Sequence, residues 1–187
     1  MQIRLYIGVS IDGFIAAPDN APAWEGLRRP GEVDPEMYGY YEFIQEISAV
    51  VMGRTTYDGC VEAFGSNWPW CDKQVFVLTS HTLPPSRPAG VTAWHDGVET
   101  LLSQLHSLHL SGHVKLLGGA ETIQSFRAIG AIDRFYVFVI PVLLGAGVPL
   151  SPPGATPQEL NLESHTVFAN GAVKLVYTPA IGNLSKF

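Results

Sequence analysis

Val114-Lys115-Leu116-Leu117-Gly118-Gly119-Ala120-Glu121-Thr122-Ile123 decides the fold class, because two glycines join a short apolar run to a helical pattern. Val114 to Leu117 suits a buried strand, and Ala120 to Ala128 reads as the helix that follows. A strand that hands over directly to a helix is the building unit of a parallel sheet. The chain must cross a face of the sheet before it can pair again in the same direction. The same arrangement recurs upstream. Ala49 to Met52 is a strand that stops at Gly53-Arg54-Thr55-Thr56-Tyr57, where a short helix begins. Gln74 to Leu78 ends at Thr79-Ser80-His81, and Ile3 to Val9 breaks at Ser10-Ile11-Asp12-Gly13.

The segments between these complete the pattern. Phe14 to Ala17 leads into a polar, proline-rich loop from Pro18 to Pro35. Asp34 to Ser48 reads as a helix, with Asp34 as N-cap and Pro35 at the first helical position. Tyr38, Tyr41, Ile44 and Ile47 would form its apolar stripe. Val91 to Trp94 is a strand. Val98 to Leu110 is an amphipathic helix with Leu101, Leu105 and Leu108 on one face. Arg134 to Ile140 is a further strand, and Pro141 to Pro153 is a loop. Leu162 to Phe168 and Val173 to Tyr177 flank Asn170-Gly171, a strong hairpin signal. The expectation is one α/β domain over residues 1–187, with helices on the faces of a mainly parallel sheet and an antiparallel C-terminal hairpin.

Composition narrows the function. The chain has 187 residues, 47% hydrophobic and 15% charged, with a formal net charge of -6. Such a chain is globular, and its charge argues against general binding of nucleic acid, which needs a basic face. Met1 to Leu5 is no signal peptide, and no run of about 18 apolar residues exists to span a membrane. A cytoplasmic location is expected. Cys60 and Cys71 have neither zinc spacing nor a reason to pair. His106, His109 and His113 read as helix-surface or turn residues, with no metal site implied. There is no GxSxG nucleophile elbow and no GxGxxG fingerprint.

Three strand ends carry residues suited to an anion. Glycine lets backbone approach a ligand closely, and a helix N-terminus presents free N–H groups and a positive dipole end. Gly53-Arg54-Thr55 adds a guanidinium. Leu117-Gly118-Gly119-Ala120-Glu121-Thr122 offers a second seat. Thr79, Ser80 and His81 could hold a ribose 2′-phosphate. Ligands of open parallel sheets bind at the carboxyl ends of strands, and all three clusters fall there. Asp12, at the end of the first strand, could orient a substrate or pass a proton through water. It could equally be a turn residue bonding its own backbone. Trp24, Trp68 and Trp70 could stack on a flat ring or anchor loops. Asp12, Trp24 and Tyr57 are the candidates for substrate contact.

Taken in order, Ser10-x-Asp12-Gly13-x-Ile15-Ala16, Met52-Gly53-Arg54-x-Thr56-Tyr57, Leu117-Gly118-Gly119, Pro141-x-Leu143-Leu144-Gly145-x-Gly147-x-Pro149-Leu150 and Asn170-Gly171 span nearly the whole chain. The set resembles the family that joins dihydrofolate reductases with the reductase domain of bacterial riboflavin biosynthesis, and looks closest to its stand-alone bacterial members. The resemblance implies a dihydrofolate-reductase-like three-layer fold and NADPH as hydride donor. Carried over, Gly53, Arg54 and Thr55 would meet the cofactor phosphates. Thr79, Ser80 and His81 would surround the 2′-phosphate. Gly118 to Ile123, with Leu117, would cradle the pyrophosphate, and Val9 and Ile15 would line the nicotinamide pocket. Hydride would pass to a C=N or C=O carbon of a small substrate, heterocyclic or phosphoribosyl in kind. Where folate reductases carry an acidic residue in the first helix, Met37 stands here with Glu36 beside it. That shift turns a side chain by about 100° and points away from folate. Folate reduction and nucleotide binding without turnover remain the alternatives. The chain lacks the His/Cys/Cys zinc signature of the deaminase domain that often precedes the riboflavin reductase. Relatives of this kind are commonly homodimers, and Phe135 to Ile140 could serve such an interface or be a plain core strand.

Overall fold

Along the chain, the first elements are β1 (Ile3–Ser10), β2 (Phe14–Ala16), α1 (Tyr40–Gln45), β3 (Ile47–Gly53) and α2 (Arg54–Phe64). Next come β4 (Gln74–Leu78), β5 (Val91–Trp94), α3 (Gly97–Ser107), β6 (His113–Gly118) and α4 (Ala120–Ala128). The last are β7 (Arg134–Ile140), β8 (Val148–Pro149), β9 (Leu160–Val167) and β10 (Val173–Pro179). The structure is a computed structural model, and it describes residues 1–21 and 39–180.

Eight strands form one sheet in the order β5-β4-β3-β6-β1-β7-β10-β9. All neighbours from β5 to β7 are parallel, and β10 and β9 add the antiparallel end. This is the expected mainly parallel sheet with a C-terminal hairpin. The core splits by strand face, because alternate side chains point to opposite sides. Ile3, Leu5 and Val9 of β1 pack with Val98, Leu101 and Leu105 of α3 and Ile123 and Phe126 of α4. Val50 and Met52 of β3 pack with Phe43 of α1 and Tyr57 of α2 on the other face. Among the described residues, two helices on each side of the sheet give the three layers.

Three differences from the expected elements have physical causes. Of the helix expected over Asp34 to Ser48, the described part holds α1, and β3 begins two residues after it, at Ile47. Ile47 pairs with His113, so sheet pairing takes residues that helical spacing had claimed. The expected stripe fails accordingly: Tyr41 is 55% exposed, and the buried residue of α1 is Phe43. Asp34, Pro35 and Tyr38 lie outside the described residues, as does Trp24. Second, α2 runs for 11 residues rather than forming a short turn of helix.

Third, β2 and β8 form a small separate sheet, where the sequence reading had only loop at β8. Here Gly147 has φ +145°, and a Cβ on it would lie 2.1 Å from the Ala16 carbonyl oxygen. The backbones therefore meet at a distance that only glycine permits.

β7 lies between β1 and β10, with Phe135, Phe138 and Ile140 buried. It is thus a core strand and offers no edge. The exposed edge on that side is β9, every residue of which is exposed. Trp68 and Trp70 are buried against Tyr57 and each other, which makes them loop anchors rather than stacking platforms.

Candidate active site at the strand ends

The carboxyl ends of β3 and β6 are adjacent, with Met52 in register with Gly118. Each strand passes at once into a helix whose N-cap is glycine: Gly53 for α2 and Gly119 for α4. Neither cap residue supplies a side-chain hydrogen bond, so both helix starts keep N–H donors for another acceptor. The two starts are also in contact. A Cβ on Gly53 would lie 2.5 Å from Thr122 Oγ1 and 3.7 Å from the Gly119 nitrogen. One on Gly119 would lie 3.2 Å from Thr56 Oγ1. Two positive dipole ends therefore lie side by side, with the Thr122 and Thr56 hydroxyls against the glycines. Such an arrangement suits an anion. The Gly118–Gly119 peptide bond is cis, and it turns the chain from β6 into α4.

Arg54 is turned along its own helix. Its Nε donates to Asp58 Oδ2 at 2.8 Å, and its Nη1 donates to the Thr82 carbonyl at 3.2 Å. The guanidinium thus links the start of α2 to the turn that carries Thr79, Ser80 and His81. In that turn the Thr79 hydroxyl accepts from the His81 N–H at 3.1 Å. His95 Nδ1 lies 2.7 Å from the Thr79 carbonyl oxygen, a neighbour that the sequence reading missed because it comes from the end of the next strand. Ser80 and His81 are exposed. Gly53, Arg54, Thr55, Thr79, Ser80, His81 and residues 117–123 thus border the ends of β3, β4 and β6. Val9 and Ile15 are buried in the core below the neighbouring strand end.

The surroundings of two substrate candidates are defined. Tyr57 is 2% exposed, its ring 6.0 Å from that of Trp68, so it packs in the core. Asp12 acts as a staple. Its Oδ1 accepts from Ser10 Oγ at 2.6 Å and from the Leu144 N–H at 3.1 Å, and its Oδ2 accepts from the Gly145 N–H at 2.7 Å. The Ser10 hydroxyl, then the Gly145 and Leu144 N–H groups, hold the carboxyl down at about 2. A depressed carboxyl stabilises the fold above its unfolded value of 3.8 and loses that effect as pH falls through about 2. Asp12 is therefore ionised throughout the neutral range. Asp12→Asn removes one acceptor oxygen. It is expected to speed hydrogen exchange at the Leu144 and Gly145 amides by roughly tenfold or more. Unchanged exchange at both would show that the staple is not formed in solution. Ser10 went unremarked as a partner of Asp12, although its spacing of two residues is that of a local hydroxyl turn.

Among the described residues no group of three His, Cys, Asp or Glu side chains is placed to hold a metal, and no helix is long and apolar enough to cross a membrane. Cys60 and Cys71 are both free thiols.

Comparison with known proteins agrees with this geometry. YwjB of Bacillus subtilis (strain 168) is 34% identical over 177 residues, covering 94% of this chain and 97% of that protein. The crystal structure of a candidate riboflavin biosynthesis protein from Shewanella sp. PV-4 superposes with a TM-score of 0.81 at 26% identity, covering 96% of this chain and 99% of that one. Dihydrofolate reductase from Enterococcus faecalis, complexed with NADP(H), shares the fold, with a TM-score of 0.62 at 18% identity over 95% of this chain and 96% of that one. The RibD C-terminal domain matches residues 2–174, and the chain belongs to that family.

Proposed function

We propose that the chain is a single reductase domain that binds NADPH and reduces a C=N or C=O group of a small heterocyclic or phosphoribosyl substrate. The observation that carries this is the contact between two uncapped helix N-termini at Gly53 and Gly119. NADPH bound there would supply the hydride. The protein's part is to bind and orient, which is where such enzymes put most of their effort. Free N–H groups of α2 and α4, with Thr55, would take the pyrophosphate. Arg54, bridging to the 79–82 turn, would hold the phosphate seat and the 2′-phosphate seat at a fixed spacing. Thr79, Ser80 and His81 would meet the 2′-phosphate. Residues 117–123 would pass beneath the reacting end. Asp12 keeps the Ser10–Gly13 turn fixed to the 144–145 loop, which limits how far that wall can move. A cytoplasmic homodimer belongs to the same reading, with β9 rather than β7 as the free edge.

The test is a fluorescence titration of the purified protein with NADPH and NADH. NADPH is expected to bind at least about tenfold more tightly, the worth of one charge-assisted contact to the 2′-phosphate. Equal affinities would remove Thr79, Ser80 and His81 from the site, and no binding of either would end the reductase reading. Binding without oxidation across a broad panel of carbonyl and imine substrates would favour a nucleotide-binding protein without turnover.

A further inference from the structure

Lys115 lies in the middle of β6, between Val50 of β3 and Arg4 of β1 in register. It is 3% exposed. Among the described residues no carboxylate lies within ion-pair distance of it, since Arg4, the neighbouring cation, takes Glu46. Its surroundings come from four elements. Tyr40, the first residue of α1, accepts a hydrogen bond from Nζ at 3.1 Å, and its ring centroid is 4.3 Å away. Tyr6 of β1 and Trp70 of the loop before β4 each present a ring 5.5 Å from Nζ. Trp70 Nε1 donates to the same Tyr40 oxygen at 3.3 Å. Cys60 of α2 joins the cluster, its thiol pushed up to about 11 by burial, so it brings no negative charge. The Tyr40 phenol is likewise raised by burial. Arg4, in register with Lys115 on β1, is paired with Glu46, the C-cap residue of α1.

A buried ammonium with one hydrogen bond, three rings and no counter-charge among the described residues is poorly solvated there. The rings favour its charged form, but burial outweighs them and lowers its pKa to about 7. The elements it touches flank the candidate site: α2 begins at Gly53, and β6 ends in the Gly118–Gly119 turn. We propose that Lys115 is a positioning residue that clasps α1 and the Trp70 loop to the sheet beneath the site, and that the clasp loosens when Lys115 gives up its proton. Below the transition the ammonium holds the Tyr40 hydroxyl and faces of the Tyr6, Tyr40 and Trp70 rings. Above it the neutral amine loses its attraction to the rings, so Tyr40 and Trp70 are held less firmly, while the cost of a buried charge is relieved. The functional meaning rests on the reductase reading, but the clasp itself does not.

The sign of the linkage is fixed. The unfolded lysine titrates at 10.5 and the folded one lower, so between those values the unfolded state binds more protons. Stability contributed by this group therefore rises with pH from about 7 to 10.5 and is flat below about 7. The experiment follows tryptophan emission and urea midpoints of the ligand-free protein from roughly pH 5.5 to 9.5, a window that brackets this titration. Wild type is expected to show one emission transition near neutrality. Lys115→Met is expected to lack it. Lys115→Arg should hold the low-pH emission throughout, because a guanidinium keeps its proton. Tyr40→Phe removes an acceptor of the charged form and should move the midpoint down by roughly one pH unit. The same transition in Lys115→Met would overturn the proposal. Should both Lys115 variants fail to fold, the lysine Cε resonance of wild type and Tyr40→Phe decides, and a midpoint above about 9 overturns it. Failure to bind NADPH would end the reductase reading and leave these readouts untouched.

Discussion

Alanine in place of Gly147 is expected to cost the protein about 3 kcal/mol or more in urea unfolding. Two terms act together. The backbone at this position has φ +145°, which L side chains rarely adopt. The added methyl would also sit 2.1 Å from the Ala16 carbonyl oxygen and 3.2 Å from Ala17 Cα. Both obstacles are backbone, so no rotamer change relieves them. The chain must instead pull β8 away from β2, breaking the pairing of Ala16 with Val148. Leu150, whose N–H donates to the Gly13 carbonyl at 2.9 Å, would follow. The Ser10–Gly13 turn would then lose a support, so the loss should reach the candidate site as well as the midpoint. A change within about 1 kcal/mol, as at an unremarkable surface position, would mean that this crossing is not formed.

Gly53→Ala is expected to lower NADPH affinity by more than tenfold and to cost about 1–3 kcal/mol, the usual range for overpacking. The backbone here is extended, with φ -82°, so alanine carries no conformational penalty. The whole effect comes from space. The new Cβ would lie 2.5 Å from Thr122 Oγ1, and Thr122 is itself buried. The starts of α2 and α4 must move apart, and a shift of about 1 Å at a preorganised site costs two orders of magnitude or so. Thr122→Ala removes the obstructing oxygen. The double variant should therefore regain much of the stability lost in Gly53→Ala, with a coupling of about 1 kcal/mol or more in the cycle. Wild-type NADPH affinity in Gly53→Ala would show that the anion seat is not between these helices.

Most of the sheet was legible because its strands are short apolar runs closed by glycine or hydroxyl residues. Gln74–Leu78, Val91–Trp94 and Arg134–Ile140 were read to the residue. β2 and β8 were not, since strands of three and two residues are too short to show a period. The first helix was over-extended because Ile44 and Ile47 fit helical spacing, while the partner of Ile47 lies far along the chain at His113. The glycine turns of the site were plain in the sequence. The nature of Asp12 was not, because the amides that occupy it are 132 and 133 residues away. Lys115 lies inside the apolar run Val114 to Leu117. Nothing local marks it, since its ring partners come from positions 6, 40 and 70.

The place of β1 has a consequence for how the chain is made. β1 sits between β6 and β7, and Ile3 donates its N–H to Asp133 across 130 residues of sequence. On a ribosome adding about 5–20 residues per second, the strand at Ile3–Ser10 waits roughly ten seconds for its second neighbour to be synthesised. Through that interval an apolar segment stands with both edges open or only one filled, which is the situation in which nascent chains aggregate. Arg4, buried and paired with Glu46 in the finished protein, is the one charge in that segment before Ser10. A charge within an apolar strand opposes pairing with other chains. The central strand of this sheet is thus the first to be made and among the last to be secured.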